Sequence, residues 1–267
     1  MTSLTYALSD DAVVAKRNLI KIKRVPEILV WTLMSPIMFV LLFAYVFGGA
    51  IDVPGMNYRE FLSAGICAQT VIFGSTFTGA GMAEDMQKGV IARFRSLPWS
   101  RSAVLIGRTA SDIVYNLLSV SMMALTGLLV GWRIRSSLTE AVAGFLLLLL
   151  FAYSFSWVMC YIGLLVPSVE VINNASFMVI MPLTFVANTF VPIESFPTVL
   201  RTFAEWNPVS AVTQATRELF GNIPAGMPSP EVWPLQNAIL YTLVWIAVIL
   251  VVFVPLATRK YKSATTK

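Results

Sequence analysis

Histidine is absent from this 267-residue chain, and charged residues make up only 12% of it. Without histidine, neither a histidine-based catalytic triad nor a histidine metal site can form. The charged share is about half of the roughly 25% that is typical of soluble domains, whereas hydrophobic residues reach 57%. This composition favours a protein whose surface faces lipid rather than water.

Other patterns that carry chemistry are missing as well. The chain has no G-x-x-x-x-G-K-[ST] sequence, which would cradle the phosphates of ATP. Its adjacent carboxylate pairs are Asp10-Asp11 and Glu84-Asp85, and neither is followed by a second cluster that could hold a metal diphosphate. Both cysteines, Cys67 and Cys160, lie inside apolar segments, which argues against a disulfide framework. We therefore expect no catalytic site, no metal and no cofactor on this chain.

Long uncharged segments dominate what is present. Six of them are about 20 residues or longer, enough to cross a ~30 Å hydrocarbon core at ~1.5 Å per helical residue. They are residues 28–51, 61–83, 113–132, 141–169, 171–193 and 232–258. The predicted fold class is an all-α polytopic membrane protein, with six transmembrane helices in one domain over residues 1–267. No acidic or basic residue lies inside these segments, so uphill transport would need energy from another chain.

The placement of basic residues predicts the orientation. Fourteen of the nineteen lysines and arginines precede the first apolar segment, lie between the second and third, or follow the sixth. By the positive-inside rule, both termini and the link between the second and third segments are cytoplasmic. The polar, basic residues 1–26 are predicted to form an interfacial helix on that side, in preference to a disordered tail.

The link between the second and third apolar segments is unusually charged. Residues 84–101 read EDMQKGVIARFRSLPWSR. Apolar residues recur there at intervals of three and four: Met86, Val90, Phe94 and Leu97. This spacing predicts an amphipathic helix over residues 84–98 that ends at Pro98. Periodicity alone leaves two interpretations open, a basic interfacial anchor and a docking site for a cytoplasmic partner.

Prolines interrupt the region before the last apolar segment. Asn207-Pro208 is typical of a helix cap followed by proline at the first helical position, and Gly221 of a helix stop. We therefore predict short helices over residues 194–221 on the outer side, dipping partly into the membrane. A seventh span is disfavoured because it would carry four charged residues: Arg201, Glu205, Arg217 and Glu218.

These two regions resemble one protein family. Residues 84–101 are similar to the intracellular-loop signature of type-2 ATP-binding-cassette (ABC) exporter permeases, especially the daunorubicin/doxorubicin-resistance branch. Residues 190–217, FVPIESFPTVLRTFAEWNPVSAVTQATR, resemble that family's region before the last helix. The resemblance implies a type-2 exporter transmembrane domain in a bacterial plasma membrane. It also implies a second permease copy, identical or related, and two separate ATPase subunits that bind ATP and magnesium.

The resemblance also assigns roles to residues. It makes residues 84–98 the coupling helix on which the ATPase subunits push. The residues that would carry this contact are Glu84, Asp85, Gly89, Arg93, Phe94, Leu97 and Pro98. The outer motif would contain Glu205, Asn207 and Pro208.

We expect a permease subunit that moves a lipophilic drug or antibiotic out of the cell. Polar and aromatic residues of the second and fifth apolar segments are predicted to line its path: Gln69, Phe73, Phe77, Phe185 and Asn188. Aromatic residues at helical spacing equally pack against other helices or lipid. The alternatives are an exporter of a lipid or lipid-linked glycan and, in a different class, a passive channel or membrane scaffold. Membrane lipids are expected partners, and nucleic acid is not.

Overall fold

A computed structural model describes residues 26–48, 51, 53, 55, 57–89, 103–166, 168–223 and 230–264 of the chain. The regular elements in these ranges are helices. They are α1 (Pro26–Leu42) with a π-helical turn (Phe43–Phe47), α2 (Tyr58–Gln87), α3 (Ala103–Val130), α4 (Leu138–Leu165), α5 (Val169–Phe185), a 3-10 turn (Ile193–Ser195), α6 (Thr198–Trp206), α7 (Pro208–Leu219), α8 (Trp233–Gln236) and α9 (Ala238–Ala264). Apart from its last residue, the predicted interfacial helix over residues 1–26 lies outside them.

The predicted spans coincide with the apolar helices. Four helices among the described residues are long and apolar enough to cross a membrane: α2, most of α3, α4 and most of α9. The first and fifth predicted spans fall in shorter apolar helices, Met34–Phe47 and Val169–Phe185. The fifth was expected to continue to residue 193, but α5 ends at Phe185 because the following residues turn back into the bundle and are buried there. The chain is an all-α polytopic membrane protein, as predicted.

Helix α2 is the centre of the bundle. In its apolar window 78% of residues are buried, compared with 17% in α9. Small residues explain how neighbours approach so closely. A Cβ atom added at Gly163 of α4 would lie 2.5 Å from the carbonyl oxygen of Gly79, and one added at Gly79 would lie 2.9 Å from the carbonyl oxygen of Met159. The small residues of α2 therefore serve packing between helices of this chain.

The bundle has two ends, which we name by a residue at each. At the Asp85 end, α2, α3, α4 and α9 share an apolar cluster that includes Met82, Leu105 and Tyr261. At the Asn207 end, the hydroxyl of Tyr58 donates to the carbonyl of Phe190 at 3.0 Å. The charge asymmetry predicts that the Asp85 end is cytoplasmic.

The region before the last long helix forms two short helices, α6 and α7, so the prediction of short helices rather than a seventh span is confirmed. Asn207 separates them, and its Oδ1 accepts from the backbone N–H of Val209 at 2.9 Å. Pro208 occupies the first turn of α7, as predicted. In α6 the apolar side chains of Val199, Phe203 and Trp206 are exposed, while Ala204 is buried.

Candidate functional site

The predicted coupling segment begins inside α2. Glu84 and Asp85 belong to the last turn of this helix, so the predicted helix over residues 84–98 does not start at Glu84. Helix α2 ends in a turn at Lys88 and Gly89, where φ of Gly89 is +63°. Four of the predicted coupling residues lie outside the described ranges: Arg93, Phe94, Leu97 and Pro98. A helix beyond Gly89 therefore stays a prediction.

Charged pairs surround the end of α2. The amine of Lys88 lies 2.6 Å from the carboxylate of Glu84, and this hydrogen bond raises the pKa of Lys88 above its ordinary value. Arg108 reaches across from α3 and places Nη1 3.0 Å from Oδ2 of Asp85. The second pair joins α2 to α3, so it fixes together the two ends of the segment that links them.

Polar contacts continue between α2 and α3 towards the middle of the bundle. The hydroxyl of Thr78 donates to the carboxylate of Asp112, and both residues are buried. One turn further along α3, the amide of Asn116 donates to the carbonyl of Asp112 at 3.0 Å. Gly74 of α2 faces Asn116 closely, since an added Cβ would lie 2.3 Å from Oδ1 of Asn116. We call this line of residues, from Asp85 and Arg108 to Gly74 and Asn116, the polar seam.

A cavity of about 320 Å³ lies among α1, α2, α3 and α5, where the polar seam reaches Gly74. It is lined by Ser35, Pro36, Phe39, Ile66, Gln69, Thr70, Phe73, Gly74, Thr76, Phe77, Ser119 and Phe177. Three residues that the sequence analysis proposed for the substrate path, Gln69, Phe73 and Phe77, are brought together there. Sequence reasoning missed Ser119, because a serine in an apolar helix is common and nothing in the sequence shows which face it occupies.

The other two residues proposed for the path lie elsewhere. Phe185 is not among the lining residues and packs against Phe190, with ring centroids 4.7 Å apart. Asn188 is buried near α7, where its Nδ2 donates to Oε1 of Gln214 at 3.2 Å. Asn188 therefore holds the Asn207 end together instead of facing this cavity.

A buried arginine centres the Asn207 end. Arg217 is 2% exposed, and its Nη2 donates to the carbonyls of Phe61 at 3.1 Å and Asn188 at 3.0 Å. Its guanidinium carbon lies 3.9 Å from the ring centroid of Phe61. From the sequence, Arg217 counts only as one of the four charges that disfavour a seventh span. Its spacing of three and seven residues from Gln214 and Ser210 on one helix face is the signal that could have suggested burial.

The outer motif has a structural role at the same end. The amide of Asn207 donates to the carbonyls of Leu183 and Val186, both at 2.8 Å, so it ties the end of α5 to the start of α7. Glu205 accepts from Nε of Arg201 at 2.9 Å within α6. In the described part of the chain, no group of three or more acidic or cysteine side chains is placed to hold a metal ion.

Membrane-length helices around a buried central helix define a multi-pass membrane protein. Residues 12–220 match the ABC-2 type transporter family, and the chain belongs to that family. It is 30% identical to the daunorubicin resistance ABC transporter permease protein DrrB1 of Streptomyces coeruleorubidus, over 92% of this chain and 84% of that protein. The predicted relationship to ABC permeases of the drug-resistance branch is confirmed.

More distant relatives agree with this assignment. Identity is 26% to the probable doxorubicin resistance ABC transporter permease protein DrrC of Mycobacterium tuberculosis, over 75% of this chain and 69% of that protein. It is 24% to the putative transport permease ycf38 of Cyanophora paradoxa, over 81% of this chain and 76% of that protein. The chain is thus related to transport permeases over most of its length.

Proposed function

We propose that the chain is the permease subunit of an ATP-driven exporter that moves a lipophilic drug or antibiotic out of a bacterial cell. The observation that carries this proposal is the apolar cavity of about 320 Å³ inside a member of the ABC-2 family. The names of the relatives support the substrate class, since two of them are daunorubicin and doxorubicin resistance permeases. The energy comes from a separate ATPase, because the chain has no phosphate-binding loop of its own.

The proposed complex contains two cytoplasmic ABC ATPase subunits, which bind ATP and magnesium, and a second permease copy, identical or related. The ATPases contact the link between α2 and α3. Gly89 suits such a contact, because no atom of the described residues lies within 4 Å of a Cβ atom added there, so a partner can approach the backbone closely. ATP-driven closure of the ATPases then moves this link.

The polar seam gives that movement a path to the cavity. Asp85 and Arg108 join α2 and α3 where the link begins and ends, and Gly74 and Ser119 of the same two helices line the cavity. A displacement of the link therefore tilts both helices at once. Hydrogen bonds between α2 and α3 can exchange partners during such a tilt more readily than interlocked apolar side chains can.

Capture of the ATPase by variants of the link tests this proposal. Truncating a central interface aromatic costs about 2 kcal/mol or more, so Phe94→Ala should weaken ATPase binding roughly thirtyfold. Gly89→Trp should weaken it too, because an indole obstructs the approach to the backbone. Gly89→Asn is the matched control, since asparagine tolerates positive φ and adds little bulk.

The amount of ATPase captured is normalised to membrane-inserted permease. If the link is only a membrane anchor, Gly89→Trp is harmless, because tryptophan favours the membrane interface. Wild-type capture by both Phe94→Ala and Gly89→Trp would refute the coupling assignment. A passive channel or scaffold would capture no ATPase even as wild type.

Export of a lipid or lipid-linked glycan is the second candidate. Phe77 and Phe177 line the cavity and are 41% and 54% exposed on the surface of the bundle. A lipid tail could therefore enter the cavity sideways from the bilayer. Transport assays with a labelled lipid in place of a drug distinguish the two.

A further inference from the structure

Two buried polar groups in the cavity have no hydrogen-bond partner among the described residues. They are Nε2 of Gln69 on α2 and Oγ of Ser119 on α3. Both residues are 2% exposed and both line the cavity. Buried polar groups in folded proteins are nearly always hydrogen-bonded. The two atoms therefore mark the position of a partner that the described residues do not supply.

The hydrogen-bonding capacity of these two groups limits the chemistry of the missing partner. The amide nitrogen of Gln69 can only donate, and the hydroxyl of Ser119 can donate as well. The hydroxyl of Thr76, also in the cavity wall, already donates to the carbonyl of Phe73 at 2.7 Å. A ligand that satisfies both free groups must therefore present a hydrogen-bond acceptor to Gln69.

The remaining lining residues restrict the charge and shape of the ligand. Within the described part of the chain, every residue that lines the cavity is uncharged. An ion buried there would lose its hydration without gaining a counter-charge. Four phenylalanines supply ring surfaces, and the rings of Phe73 and Phe177 meet edge to face with centroids 6.3 Å apart. Such walls suit an aromatic ring system.

We propose that the cavity binds an uncharged, ring-containing lipophile through a carbonyl-type oxygen held by Gln69 and Ser119. This inference rests on the proposed function, because it names the chemical class that the exporter takes up. A hydrocarbon chain of a membrane lipid would fill the apolar volume but would leave both polar groups unpaired. An uncharged lipophile with a carbonyl oxygen and a ring system would pair with the polar groups and also contact the apolar part of the wall.

The test uses the full chain alone in lipid nanodiscs, without any ATPase. Benzophenone, an uncharged diaryl ketone that crosslinks on illumination, is the probe, and mass spectrometry locates the labelled residues. Fluorenone and fluorene compete with it; they differ by a carbonyl in place of a methylene group. Labelling is expected on residues that line the cavity. One hydrogen bond corresponds to about a two- to tenfold advantage of fluorenone over fluorene.

Variants assign that advantage to the two polar groups. Gln69→Met, which keeps an unbranched side chain of similar length, should bring the fluorenone-to-fluorene ratio close to one, and Ser119→Ala should reduce it. Ser156→Ala is the matched control, because Ser156 is another buried hydroxyl without a partner in the described residues but does not line the cavity. It should leave the ratio unchanged.

Three results would overturn the inference. They are equal competition by fluorenone and fluorene in wild type, a ratio that survives both Gln69→Met and Ser119→Ala, and labelling that avoids the cavity because lipid or a second copy fills it. Failure of the proposed function is a separate result, since it is measured as loss of ATP-driven transport. The chain can bind the ketone without exporting it, and it can export without this site.

Discussion

Arg108 can reach Asp85 because residue 81 is glycine. A Cβ atom added at Gly81 would lie 1.3 Å from Nη2 and 2.2 Å from Cζ of Arg108. Alanine at this position must therefore displace the guanidinium and break the 3.0 Å contact with Asp85. Because the clash is with the end of a flexible side chain, α2 and α3 need not separate. Gly81→Ala should therefore destabilise the chain by breaking the ion pair between Arg108 and Asp85.

The magnitude follows from two opposing effects. The side chains of Arg108 and Asp85 are 14% and 13% exposed. Exposed pairs contribute about 0.2–1 kcal/mol, whereas breaking fully buried ones costs about 3–5 kcal/mol, so roughly 1–3 kcal/mol is expected for this intermediate case. Alanine in a helix interior is favoured over glycine by about 0.5–1 kcal/mol. Gly81→Ala should therefore destabilise the chain by up to about 2.5 kcal/mol.

A second background separates these effects. Arg108→Ala removes the guanidinium, three of whose atoms are the nearest to the added Cβ. In that background Gly81→Ala should stabilise the chain by about 0.5–1 kcal/mol. The sign of the effect thus reverses. Unfolding of the four proteins in detergent micelles, followed by circular dichroism, measures it. An effect of Gly81→Ala with the same sign and size in both backgrounds would refute the argument.

Three further predictions concern packing, capping and orientation. Gly163→Ala should destabilise the chain by about 1–3 kcal/mol in the same unfolding assay, because the added Cβ lies 2.5 Å from the Gly79 carbonyl oxygen. The control Ala143→Val, on the exposed face of α4, should be nearly neutral, and equal effects of the two variants would contradict the prediction. Asn207→Ala should destabilise the chain by about 0.5–2 kcal/mol for the lost cap alone. Asn207→Asp keeps the cap but loses the hydrogen bonds donated to Leu183 and Val186, so it should destabilise the chain less. An Asp variant as unstable as the Ala variant would mean that these two hydrogen bonds contribute more than the cap. A cysteine at Gly89 should be labelled only from the cytoplasm and one at Asn57 only from outside, while Cys67 and Cys160 stay unlabelled because they are buried; labelling of position 89 from outside would reverse the orientation.

The helices were predictable from the sequence because hydrocarbon leaves few alternatives. An uncharged segment of membrane length must satisfy its backbone internally, so it forms a helix. The short helices α6 and α7 were predictable for a related reason, since Asn207-Pro208 supplies both a cap and a preset first turn. Among the proposed path residues, Gln69, Phe73 and Phe77 follow one another at intervals of four on α2, which places them on one face.

What could not be predicted depends on contacts between distant residues. The burial of Arg217 rests on a carbonyl of Phe61, which lies 156 residues earlier in the chain. The contacts of Arg108 with Asp85 and Gly81 could not be predicted, because they depend on how α2 and α3 cross. In the sequence Arg108 is only one of many basic residues. Phe185 and Asn188 do not line the cavity, because α5 ends early and the following residues pack against α7.

The proposed function requires this chain to carry a lipophilic compound across the membrane with energy from a separate ATPase. Uptake of a fluorescent, uncharged lipophilic drug into inside-out vesicles tests this, with the permease and a candidate partner ABC ATPase expressed together or singly. We predict uptake that requires both proteins and ATP and that stops with a non-hydrolysable ATP analogue. Vesicles that contain both inserted proteins and hydrolyse ATP, but accumulate neither the drug nor a labelled lipid, would refute the proposed transport function.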